Sequence, residues 1–295
     1  MAYAHILVGT RAQANVPTVR RVAPAELLPV LRRGLDDFAA MPSHAVFLCV
    51  IYPLLGLLLV ALTLDYSVLP LAFPLVAGFA LVGPLAAIGL YELSRRREAG
   101  LDTNSIHAFD VLRSRSLGAI IALGLVLMAI FLVWLAVAQA IYVANFGYAA
   151  PASIRAFVDG VLFTPAGWTL IVVGSGVGFL FAVVVLTISA VSFPLLLDRD
   201  VGAAVALATS VRAVAANPLT MAAWGLIVAA LLVVGSLPFF LGLTVVLPVL
   251  GHATWHLYRA IVVPDPGAQP QFRPEPTSYR SAADFPAALF PSRRD

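Results

Sequence analysis

The chain has 295 residues, 61% of them apolar and only 11% charged, against about half apolar and a quarter charged in soluble domains. With a mean hydropathy of +0.96, this excludes a soluble globular protein. A formal net charge of +3 excludes the broad basic field of a nucleic-acid binder. The single cysteine, Cys49, offers no intramolecular disulfide.

Residues 1–24 carry Arg11, Arg20 and Arg21 and no long apolar run. They read as a flexible cytoplasmic segment without the apolar core of a cleavable signal. Apolar runs follow at roughly 44–64, 68–92, 117–143, 167–197, 220–238 and 239–262, each near the ~20 residues that a membrane helix needs. The last two are one run divided at Ser236-Leu237-Pro238. Residues 25–262 therefore read as one all-α membrane domain of six transmembrane helices. The tail, 263–295, is rich in proline and reads as disordered or extended.

Every basic residue is an arginine, and 17 of the 18 fall on one side of this six-span arrangement, with Arg155 the exception. Arginines near span ends stay cytoplasmic. Both termini are therefore expected on the cytoplasmic side.

A threefold pattern runs through the chain. Leu31–Pro42 (LRRGLDDFAAMP) aligns with Leu207–Pro218 (LATSVRAVAANP), matching Leu31, Leu35 and Phe38 to Leu207, Val211 and Val214. Ile106–Ser116 (IHAFDVLRSRS) keeps Phe109 and Leu112 in register. Each copy leads into an odd-numbered span, and each pair of spans ends on a proline followed by an arginine: Pro84 and Arg95, Pro194 and Arg199, Pro248 and Arg259. The expectation is an amphipathic surface helix followed by a helical hairpin, used three times.

The stretches GPLAAIGLYELSRRREAG (83–100), SFPLLLDRDVGAAVA (192–206), NPLTMAAWGL (217–226) and GHATWHLYR (251–259) resemble the bacterial six-span family known as domain of unknown function 2189. The resemblance extends over about 25–262. It implies an inner-membrane protein without established activity, some of whose relatives carry the label of putative cytochrome c oxidase. A haem-copper subunit needs more intramembrane histidines than this chain's five in total, so a respiratory link would be that of an accessory or assembly factor.

Chemistry-bearing residues are sparse. The spans hold almost no ionisable groups; Gln139 is the strongest polar group deep in span three, and ion-coupled transport usually needs charge near the midplane. Span four contains Gly174 and Gly178 in the spacing that lets helix backbones approach, which predicts that it packs centrally. A rhomboid-like protease reading of Ser175 fails, because Val173 stands where that motif has glycine. His252 and His256, four apart on span six, project from one helix face. His44, at the start of span one, and Glu92 are expected at the same level. These four form the candidate metal set, with headgroup anchoring as the competing role for the histidines.

The reading is a non-enzymatic accessory, assembly or scaffold component of a membrane complex, with no cofactor. Its partners are the lipid bilayer and other membrane subunits, not nucleic acid; oligomeric state is not legible. The alternatives are a small-solute or lipid transporter, and a protein handling a divalent transition metal or haem through His44, His252 and His256.

Overall fold

A computed structural model describes residues 17–41, 56, 69–237 and 241–264. The expected first span, with His44 and Cys49, lies outside the described residues except for Gly56, and so does the tail from 265 onward. The described residues are largely helical, with an isolated bridge between Val19 and Val262. In chain order the helices are α1 (Leu27–Ala40), α2 (Ala72–Ala86), α3 (Ile88–Glu98), a 3-10 helix (Ser105–Arg113) and α4 (Leu117–Phe146). There follow α5 (Ile154–Phe163), α6 (Pro165–Ser189), α7 (Ser192–Asp198), α8 (Ala203–Ala216), α9 (Pro218–Ser236) and α10 (Leu243–Ile261).

Local chemistry sets these boundaries. Pro165 and Pro218 open α6 and α9 at positions where a missing N–H costs nothing. Thr164 caps α6 by accepting from the Gly167 N–H at 3.0 Å. α4 stops at Gly147, whose φ of 77° suits glycine.

Among the described residues, three helical stretches are long and apolar enough to cross a membrane: Leu117–Phe146, Pro165–Asp198 and Pro218–Ser236. The expected second run appears as α2 and α3, broken at Ala87; the expected sixth appears as α10, whose second half carries His252, His256 and Arg259. The surplus length of the fourth run is taken up by a break at Ala190–Val191, after which α7 turns into the interior.

That interior is a cap in which α3, α7 and α10 converge beneath α1 and α8. Leu93, Phe193, Leu195, Leu196, Leu197, Leu257 and Tyr258 are fully buried there. Each full burial of a large apolar side chain contributes about 1.5–3 kcal/mol where water is the alternative. Glycine permits the closest approaches. A Cβ added at Gly34 would stand 2.6 Å from Ala253 Cβ, and one at Gly251 would stand 2.6 Å from Leu90 Cδ1, so α10 is pressed between α1 and α3.

Central packing of the fourth run is not what the structure shows. Only 6% of its most apolar window is buried among the described residues, against 28% for α4 and 22% for α9. Gly174 meets nothing within 4 Å, while Gly178 lies under the indole of Trp134, where an added Cβ would be 3.0 Å from Cη2. Small residues permit close approach but supply no attraction; the α4 contact at Gly178 uses one of them and leaves the other open.

The three surface segments bury the same register positions. Gly34 and Asp37 of α1, Ala108 and Val111 of the 3-10 helix, and Ser210 and Ala213 of α8 occupy the same two register positions, and all six are buried. The 3-10 helix packs on α3, the helix before it, and α8 packs on α6 and α7, also before it. α1 is preceded among the described residues only by a one-turn 3-10 helix, Pro24–Glu26, and packs on the last helix, α10. The first unit thus closes on the third. The second copy differs from expectation in winding as a 3-10 rather than an α-helix.

Candidate functional site

The cap holds a buried polar network centred on Asp37, whose side chain is 5% exposed. Because His252 and His256 share a face of α10, both turn toward α1 and α3. His256 Nε2 donates to Asp37 Oδ2 at 2.9 Å, and the Arg97 guanidinium pairs with Oδ1. Ser94 Oγ donates its one proton to Asp37 Oδ2 at 2.6 Å, so its 2.7 Å contact with His252 Nδ1 is one in which the imidazole donates. That assigns the Nδ1–H tautomer to His252 and leaves its Nε2 as an acceptor, buried and without a hydrogen bond among the described residues.

Burial opposes the charge on Asp37, but hydrogen bonds from His256, Ser94 and Arg97 outweigh it and hold the carboxyl below its ordinary value. Asp37 is therefore an anion shared by three helices. Its work is to hold them together.

Three further knots surround it. Arg95 grips Glu92 bidentately, with Nε to Oε2 at 2.7 Å and Nη2 to Oε1 at 2.9 Å. Arg96 reaches Asp110 at 3.2 Å, and His107 bridges Asp110 and Asp102 at 2.7 and 3.1 Å. Glu98 accepts from Trp255 Nε1 at 2.9 Å and from Arg259, while the Tyr258 hydroxyl donates to Asp198 at 2.6 Å. A strap before α1 completes the closure. Asn217 Oδ1 accepts from the Val22 N–H, Thr220 donates to the Val22 carbonyl, and the Arg20 N–H donates to the Ile261 carbonyl.

Of the four candidate metal ligands, His252 and His256 come together but spend their hydrogen bonds on Ser94 and Asp37. Glu92 is fully buried and taken up by Arg95, in a separate knot. His44 lies outside the described residues. Among the described residues, no group of three or more His, Cys, Asp or Glu side chains is placed to hold a metal. Asp37, Ser94 and Arg97 were absent from the sequence-derived set. The one signal was Asp37 itself, a carboxylate three residues past Gly34 on the side that packs.

Residues 72–198 match the family model DUF2189, described as a predicted integral membrane protein. The resemblance read from the sequence is shown over that segment, which runs from α2 through α7. DUF2189 thus takes in the 83–100 stretch and the start of the 192–206 stretch, whereas 217–226 and 251–259, with both α10 histidines, lie beyond the match. No curated protein and no solved structure matches the chain.

Proposed function

We propose that this integral membrane protein is a non-enzymatic accessory, assembly or scaffold component of a bacterial inner-membrane complex. In this reading it has six spans in three hairpins, each hairpin preceded by a surface helix, and both termini are cytoplasmic. The observation that carries it is the closed network. Asp37, Ser94 and His252 are all at most 3% exposed, and with Arg97 and His256 their hydrogen bonds join α1, α3 and α10, while the equally buried Glu92 is held by Arg95 within α3. Groups so engaged hold a shape; a hydrolytic or transfer site keeps a nucleophile or base open to substrate.

The pairing of the chain before α1 with the chain after α10, through the Val19–Val262 bridge, supports termini on one side. Arginine distribution supports that side being the cytoplasm. Reporter fusions after residues 100, 205 and 270 are expected to map inside, and one after 150 outside. A fusion after 150 that reports cytoplasm overturns the topology. Purification from native membranes in mild detergent is expected to retain partner subunits at fixed stoichiometry. Protein recovered alone, and stabilised by a small solute, would overturn the scaffold role.

A further inference from the structure

The 3-10 helix repeats every three residues, so side chains at i and i+3 eclipse and form straight ridges. Its three ridges differ in kind. Ala108 and Val111 pack on the cap; His107, Asp110 and Arg113 form a polar ridge; and Ile106, Phe109 and Leu112 form an apolar ridge that is 66, 56 and 65% exposed. α1 and α8 share the central position of that ridge, while Phe38 and Val214, equivalent to Leu112, pack on buried neighbours. The position equivalent to Phe109 is Leu35 in α1, 52% exposed, and Val211 in α8, 42% exposed.

A helix on a soluble protein needs two faces, one for the core and one for water. A third, exposed and apolar face on the 3-10 helix, whose central position is apolar and exposed in all three segments, calls for an apolar medium. The spans supply the location. Only Ser114–Ser116 separate the 3-10 helix from α4, and only Asn217 separates α8 from α9. At 3.3–3.6 Å per residue, these two segments end within about 14 Å of an apolar helix, and the outer residues of α4, such as Ile121 and Leu125, are exposed.

We propose that the three surface segments form a ring seated in the headgroup and acyl boundary of the cytoplasmic leaflet, with the Leu35, Phe109 and Val211 ridges inserted in lipid. α1 adds charge recognition. Arg32 and Arg33 are exposed and form no ion pair among the described residues, while the first lies beside the Leu28 and Leu35 ridge. The phosphate of an anionic phospholipid is the group they meet. This rests on the membrane-spanning reading above.

The test uses the full chain with Cys49→Ala and single cysteines introduced by Leu35→Cys, Phe109→Cys or Val211→Cys on the ridges, and by Asp36→Cys or Arg113→Cys on the polar sides. Each is labelled with a small fluorophore and reconstituted in phosphatidylcholine vesicles with or without phosphatidylglycerol. Flotation with the vesicles tests the spanning reading separately. The ridge positions should be quenched several-fold more by acyl-chain nitroxide than the polar positions, and several-fold less by aqueous iodide. In phosphatidylglycerol vesicles, adding Arg32→Gln and Arg33→Gln should weaken nitroxide quenching at Leu35→Cys; in pure phosphatidylcholine it should not. Protein that floats but shows iodide quenching equal at all positions, or ridges shielded from both quenchers, overturns the lipid seat. Equal effects of the arginine changes in both vesicles overturn the headgroup contact.

Discussion

The two ends of this molecule are held by different forces. In the cap, α3, α7 and α10 bury large side chains completely and carboxylates are shared among three helices. In the long apolar helices, between 6 and 28% of the most apolar window is buried. Burying apolar surface against apolar surface gains little when lipid is the alternative, so membrane helices depend on close packing and polar contacts. Here one buried bond, from the Trp134 indole of α4 to the Pro74 carbonyl of α2 at 2.9 Å, lies among the apolar helices, and the charged network lies at the other end, where stability is concentrated. The apolar helices are held in place by their feet.

The comparison breaks most readily at Asp37. Asp37→Ala leaves Arg97, His256 and Ser94 without their shared acceptor, and stripping one partner from a buried ionic cluster costs about 3–5 kcal/mol. A large fall in thermal midpoint in detergent is expected, read by tryptophan fluorescence, since Trp255 stands beside His256 on α10. Next comes Gly34→Ala. Its Cβ would meet Ala253 N at 2.7 Å and the Val249 carbonyl at 2.8 Å, backbone atoms that cannot swing away, so overpacking of about 1–3 kcal/mol should separate α1 from α10.

Acid should act on the same point. Because the folded-state pKa of Asp37 lies below the 3.8 of the free group, its contribution is fully present above that value and is lost as pH falls through the folded one. The thermal midpoint should therefore fall below about pH 4, and Asp37→Asn should flatten that part of the profile. The smallest effect belongs to the other region. Gly174→Leu enters open space among the described residues and should change stability by no more than about 0.5 kcal/mol, whereas Gly178→Leu should cost more by displacing Trp134.

Much of the architecture was legible in the sequence because hydrophobic period and run length are local. The surface-helix register, with Leu35, Phe109 and Val211 equivalent, could be read from spacing alone. Which side packs could not, since the inward positions are held by small or polar residues such as Gly34, Ala108 and Ser210 while the larger apolar ones point out. The site was half legible for a similar reason. His252 and His256 are four apart and had to share a face. Their partners Asp37 and Ser94 lie 219 and 158 residues away, and no local pattern links them. Glu92 was assigned to the histidines by level along the membrane, but Arg95, one turn on, claims it first. Gly174 and Gly178 matched a spacing that permits packing without specifying a partner.

The most direct test is a double-mutant cycle on the Asp37–His256 hydrogen bond that joins α1 to α10. Thermal and denaturant unfolding of Asp37→Ala, His256→Ala and the double variant should give a coupling of about 1–3 kcal/mol, in the range found for residues of one network. Additivity of the two changes to within about 0.5 kcal/mol would contradict the claim that polar contacts in the cap hold the helices together.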